Sequence, residues 1–469
     1  MKKQSVLRLC SLGLCALTLV GCGKGNSVSP NSKPTTIEQV TDVTTEVEDS
    51  SSNTDKDSVD LTSEALPTTV VEDTDTEVID GTEMDDMFVL PNITQDNIGY
   101  SAYITDKLYH TVNTNVIYSP LSLNMAVGML NSGCDGDVHT ELNTFLGTDD
   151  YDSIAKKIND TYYTDLTDLT VDTEDDIYSS GIRSAFNVAN SAWVSDKGII
   201  NSDYQKRIKT IYNADITNVD FTNANESVSK INRWADERTN HLIPELLNAT
   251  AIQPSTRLIL VNTVYFNSSW ANEWHDGKGT FTTFDGVTTD IDNIYSEEGI
   301  RYYETDTVQA FSSPYINGLQ FIGILPKENG DFEISDLDIS TILENDCTDN
   351  YSTIKVQMPN MKYETENDIL AMALADLGFD SMFYKSSDIH VLDNEAVCVD
   401  DIIQKCTIDL DKNGTEASAA TALMVKTMSL PMLDDKNILE LDFNRPYAYF
   451  IYEPETQQIA FMGKVVTVE

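Results

Sequence analysis

Leu258 to Trp274 reads LILVNTVYFNSSWANEW, and its first nine residues are an apolar run with one Asn, Asn262, at the centre. A run of that length and character predicts a strand buried on both faces. An Asn inside it needs hydrogen-bond partners. Trp270, just past the run, reads as core.

The other strongly apolar stretch of the chain is NTNVIYSPLSLNMAVGMLNSG, Asn113 to Gly133. Val116 to Tyr118 is strand-like. Ser119-Pro120 is a helix cap followed by Pro at the first helical position, and Ser132-Gly133 stops the helix after Leu130. The helix is apolar almost all round, so it should be buried. Before it, Asn97 to Tyr109 places Ile98, Ala102, Tyr103 and Leu108 at amphipathic helix spacing. Toward the C-terminus, Cys398 to Leu410 reads as a strand, and Ile438 to Val468 as three more.

Between those strands lies DKNGTEASAATALMVKTMSLP, Asp411 to Pro431, where nine residues pass without a large apolar side chain. Such a segment contributes little to a core. Gly414 frees the backbone at one end. As a strand, Thr415, Ala417, Ala419 and Thr421 would share one face and Glu416, Ser418, Ala420 and Ala422 the other, all of the first set small enough to enter an existing sheet. Intrinsic propensity favours a different reading, a short Ala-rich helix capped by Asn413 or Thr415 and running to Met424.

The chain resembles the serpin family from about Phe88 to Glu469. Val116 to Gly133 is similar to that family's first buried strand and central helix, with Ser119 and Ser122 matching its two serines under the main sheet. The match continues through FNVANSAWVS (Phe186 to Ser195) and INRWADERTNHLIPELL (Ile231 to Leu247), and it is strongest in Leu258 to Trp274, where Asn262 and Trp270 keep the family's spacing. YSTIKVQMPN, LGFDSMF and FNRPYAYFIYEPETQQIAFMGKVV follow in the family's order. The resemblance implies an α+β serpin fold: a large central β-sheet, two smaller sheets, about eight to nine helices and an exposed reactive-centre loop at about 411–436.

It also implies a chemistry. Gly414, Thr415, Glu416, Ala417, Ser418, Ala419, Ala420, Thr421 and Ala422 would be the hinge of that loop, inserting as a new central strand after a target protease has cut the chain and formed an acyl-enzyme. Stored strain drives the change, and cleavage removes the restraint. Counting from Gly414 as the family does, the reactive bond falls at Met428-Ser429, which suits chymotrypsin-, elastase- or subtilisin-like enzymes. The loop is longer than is common in the family, so Lys426, Leu430 or Met432 are alternatives, and Lys426 would redirect the target to trypsin-like enzymes. Hinge composition fits a suicide inhibitor of serine endopeptidases; the alternative is a non-inhibitory surface binding protein on the same fold. Two residues depart from the family pattern. Gln404 stands where His is common, leaving a polar cluster of Ser119, Ser122, Asn262 and Gln404 under the sheet. Lys412 stands where Glu is often paired with a Lys, and Asn360 replaces that Lys, so the family's ion pair is absent.

Composition bounds the rest. The chain has 469 residues, 41% hydrophobic, with 77 acidic against 30 basic side chains and a net charge of −47, which argues against nucleic acid or an anionic membrane surface as partner. Lys2, Lys3 and Arg8 precede an apolar run from Leu9 to Val20, too short for a comfortable membrane span, and Leu19-Val20-Gly21-Cys22 resembles a bacterial lipobox. Residues 1–21 are thus expected to be a lipoprotein signal peptide. Cys22 would carry the lipid, the only membrane attachment, on the extracellular face. Residues 22–87 read as a disordered acidic Ser/Thr-rich tether, spanning on the order of 45 Å or more, and residues 88–469 as the folded domain, expected to be monomeric. Cys134, Cys347, Cys398 and Cys406 are expected to be free and mostly buried; Cys398 and Cys406, about 26 Å apart on one strand, should not pair. No spacing suggests a metal site or cofactor, and five scattered His without a GxSxG or HExxH motif argue against a hydrolase.

Overall fold

The computed structural model describes residues 97–162, 184–399, 402–415 and 437–468. Eight α-helices and three sheets make up these residues: α1 (Asn97–Val112), α2 (Pro120–Asn131), α3 (Gly136–Leu146), α4 (Tyr151–Tyr162), α5 (Ser202–Ile211), α6 (Ala224–Arg238), α7 (Ile339–Glu344) and α8 (Leu370–Asp376). The central sheet contains β2 (Ala185–Ser195), β3 (Asp215–Val219), β4 (Leu258–Ser269), β11 (Met361–Asn367), β12 (Gln404–Asp411) and β13 (Gly414–Thr415), in the order β11-β12-β13-β4-β2-β3. A second sheet of six strands runs β1 (Val116–Tyr118), β16 (Gln458–Val465), β15 (Tyr447–Glu453), β9 (Gln320–Pro326), β8 (Val308–Pro314) and β7 (Arg301–Glu304). The third has four: β14 (Ile438–Asp442), β10 (Thr353–Pro359), β6 (Thr288–Ser296) and β5 (His275–Thr282).

The fold-deciding run is β4, paired along ten residues with β2 from Ala185↔Asn267 to Val194↔Leu258. Its two faces enter different cores, which is why nearly every position is apolar. Phe266, Val264, Leu260 and Leu258 join the main core with α2, while Val261 and Ile259 pack beneath α6 with Trp193, Phe221 and Ile231. The helix read from Ser119-Pro120 is α2. Ser119 caps it, its Oγ accepting from Ser122 N at 3.2 Å, and every residue of the helix except Ala126 is buried. Full burial follows from its position, wedged between β4 and β16.

One expected strand is shorter than its sequence suggests. Cys398 precedes β12, which begins only at Gln404. The reason lies in its neighbours: β11 ends at Asn367, opposite Gln404, so the chain before Gln404 has no strand to pair with on that side. The four cysteines are free, but only Cys406 is buried; Cys134, Cys347 and Cys398 are half-buried, because all three lie in connections outside the strands and helices.

Candidate functional site: a slot in the central sheet

β13 is two residues long and lies between β4 and β12. Gly414 and Thr415 pair with Ser269 and Ser268 on one side and with Asp411 and Leu410 on the other. A turn at Lys412-Asn413 makes this possible, held by the Asp411 carboxylate, which accepts from Asn413 N at 2.7 Å and Asn413 Nδ2 at 2.9 Å. Gly414 has φ +143°, and a Cβ there would stand 2.1 Å from the Ser268 carbonyl oxygen, so glycine alone allows the approach. Below Thr415, β4 and β12 face each other without pairing among the described residues.

The gap is hollow. A cavity of about 20 Å³ lies beneath Thr415, bounded by Val264, Phe266, Thr407 and Ile408. A larger one, about 80 Å³, occupies the far end between Leu258 and Leu260 of β4 and Ile402 and Ile403, with Val127 and Leu130 of α2 as part of its wall. Close packing is the rule in protein interiors, so two cavities along one seam show that, among the described residues, β4 and β12 do not fill the space between them.

Trp270 stands at the mouth of the slot. Its indole Nε1–H donates to Asp411 O at 2.9 Å, and its ring stacks on Tyr315 with centroids 4.5 Å apart. Lys412 has a carboxylate partner after all, Asp276 on β5, at 2.5 Å. The sequence position opposite Asn360 offered no such partner; the pair reaches instead into the third sheet.

The polar cluster expected of Ser119, Ser122, Asn262 and Gln404 divides in two. Gln404, buried, accepts from Ser119 N (2.9 Å) and donates to Ser119 O (2.9 Å), and its Oε1 also accepts from Asn367 Nδ2 (3.0 Å). Ser119 Oγ donates to Ala460 O at 2.7 Å. Asn262 is bonded to neither serine: its Nδ2 donates to Asn190 Oδ1 at 2.7 Å, across the pairing with β2. The Asn262 Oδ1 atom is buried and has no hydrogen-bond partner. Asn190, Asn367, Tyr315 and Asp276 were not singled out in the sequence. Each acts through a partner at least 37 residues away, and no local pattern signals such pairs.

Cys406, next to Gln404, donates from Sγ to Gln404 Oε1, and burial pushes its thiol well above the ordinary range, so it is an inert structural thiol. Cys22, Glu416 to Ala422, Lys426 and the Met428-Ser429 bond lie outside the described residues.

Gly414 and Thr415, at the start of a connecting segment, are thus paired into the central sheet between β4 and β12. A family model described as Serpin (serine protease inhibitor) matches residues 97–468. The chain belongs to the serpin family, and its function is in general terms of the protease-inhibitor type, with target proteases as partners. It is 29% identical over 364 residues to an uncharacterised serpin-like protein of Thermococcus kodakarensis, a match covering 76% of this chain and 81% of that one. Among solved structures it is similar to tengpin, a thermophilic serpin in its native state (TM-score 0.64, 24% identity, 79% of this chain and 94% of that one). Serpin48 of the insect Tenebrio molitor has the same TM-score, 0.64, at 22% identity over 80% of this chain and 97% of that one. These structural likenesses speak for the fold.

Proposed function

We propose that this protein is a suicide inhibitor of serine endopeptidases with an apolar first-subsite preference, tethered outside a bacterial cell by a lipid on Cys22. The observation that carries the reading is β13 in its slot. Continuing its antiparallel register from Thr415↔Ser268 and Thr415↔Leu410 brings Thr421 opposite both Asn262 and Gln404. Gln404 and Asn262 face the main core, as Leu410 and Thr415 do, so the Thr421 hydroxyl would arrive beside the Asn262 Oδ1 that lacks a partner. Leu423 and Val425, on the same face, would then meet Leu260 and Leu258 and enter the larger cavity. Thr421 thus falls beside a polar atom that lacks a partner, and the two larger apolar residues fall at the larger cavity, which supports the reading.

In this reading, attack on Met428 forms the acyl-enzyme and frees the hinge from its C-terminal restraint. Glu416 to Val425 then pairs with β4 and β12, gaining ladder hydrogen bonds and apolar burial. The attached protease is carried along and distorted before water completes its turnover, so the outcome is decided by rates.

The test is incubation with chymotrypsin, elastase, subtilisin and trypsin, followed by denaturing electrophoresis and mass spectrometry. A complex that survives denaturation, together with a released peptide beginning at Ser429, supports the reading. Cleavage by all four enzymes with no such complex rejects it. Anchoring is tested separately: detergent-phase partitioning of protein expressed in bacteria should be lost in Cys22→Ser.

A further inference from the structure

The residue that meets Thr415 inside the slot belongs to neither flanking strand. Tyr315 lies in the connection between β8 and β9, in the second sheet, and its Oη is 2.6 Å from Thr415 Oγ1. Both residues are buried, Thr415 at 4% and Tyr315 at 2% exposure. The phenol ring is fixed from two sides, stacked on Trp270 at an interplanar angle of 9° and edge-on to Phe266 at 4.9 Å. Its backbone is pinned as well: Tyr315 N donates to Leu319 O, and Ile316 N to Ser269 O at 3.0 Å, which ties the connection to β4. Burial pushes the Tyr315 hydroxyl far above its ordinary range, so it stays neutral and serves as a hydrogen-bond partner. Outside the slot, the Lys412–Asp276 pair attaches the same turn to the third sheet.

A rigid aromatic side chain thus grips Thr415, the last described residue of the loop's start, within the sheet. We infer that Tyr315 is a positioning residue: its hydrogen bond to Thr415 holds Gly414 and Thr415 paired in the sheet of the uncut protein, so that insertion after cleavage grows from a strand already begun. The inference rests on the trapping function proposed above. In that function insertion races against deacylation, and the first pairs of a new strand are the costly ones, because ordering the chain precedes most of the contacts it gains. A hinge with its first pairs in place starts past that point.

The test is a double-mutant cycle with Tyr315→Phe, Thr415→Val and the pair together. The first readout is amide hydrogen exchange of Gly414 and Thr415 in the uncut protein. The second is the number of inhibitor molecules consumed per protease trapped. Loss of one hydrogen bond of ordinary net strength should speed exchange of the Thr415 amide by about fivefold in either single variant, and the double variant should go no further. Consumption per trapped protease should rise in all three. Additive effects in the cycle would overturn the inference, since Tyr315 would then be acting only as core; so would a wild-type Thr415 amide that exchanges as fast as open chain. If the exchange coupling is found but the wild-type protein traps no protease, the grip on the hinge stands and the inhibitory function is what fails.

Discussion

Gln404 is a buried polar side chain at the start of β12, and its replacement by Ala gives a prediction whose size follows from the partners it would abandon. Its side chain is buried at 5% exposure and makes three bonds to nitrogen or oxygen partners: from Ser119 N, to Ser119 O and from Asn367 Nδ2. Two of those partners keep another bond when Gln404 is removed. Ser119 O still accepts from Leu123 N at 3.2 Å, and Asn367 Nδ2 still donates to Ile117 O at 3.2 Å. The Ser119 N–H would be left with only the Cys406 sulfur, a weak acceptor. A buried amide so poorly paired costs about 1–3 kcal/mol and each ordinary bond lost about 1 kcal/mol, so Gln404→Ala should destabilise the uncut protein by about 3–5 kcal/mol. Urea unfolding followed by far-UV circular dichroism at constant pH measures this. Gln404→His, which keeps one donor and one acceptor, should lose less than the Ala variant. A loss below about 1 kcal/mol for Gln404→Ala would refute the reasoning, as would a His variant less stable than the Ala one.

Two further predictions concern other parts of the molecule. Gly414→Ala places a methyl group where the Ser268 carbonyl oxygen stands, so β13 should be expelled from the sheet; trypsin should then cut after Lys412 faster than in wild type, and equal rates would contradict the packing described. Asp106, on α1, accepts from Ile334 N, Ser335 N and Ser335 Oγ, yet burial outweighs these bonds and raises its carboxyl to about 6. The folded protein therefore holds this proton more tightly than the unfolded chain, where the value is about 4. The resulting stabilisation is complete below pH about 4 and is lost as pH rises through about 6. A shift of about two units corresponds to about 3 kcal/mol, and Asp106→Asn should flatten that part of the stability–pH curve; an unchanged slope would remove Asp106 as its cause.

What could be read from the sequence was what depends on local pattern. The apolar run around Asn262 gave a strand because both its faces are buried, and Ser119-Pro120 marked a helix start because a cap oxygen and a Pro satisfy the first turn without tertiary help. The pairing of polar residues was not legible. Asn262 was matched with the serines of α2, whereas the register of β4 against β2 gives it Asn190. Lys412 finds its carboxylate in Asp276, 136 residues away on another sheet, a separation that no local pattern spans. β12 starts at Gln404, six residues after Cys398, because its partner β11 ends opposite Gln404. Composition records what a segment could do, and the neighbouring strand decides whether it does it. The Ala-rich stretch itself fits either helix or strand in composition; Gly414 and Thr415 at its start are paired, and the rest of it lies outside the described residues.

The most direct test of the account is a crystal structure of the protein nicked after Met428. The account predicts Glu416 to Val425 lying as a full strand between β4 and β12, with the Thr421 hydroxyl bonded to Asn262 Oδ1 and both cavities filled. A nicked molecule in which β4 and β12 remain apart below Thr415, with β13 still two residues long, would contradict it.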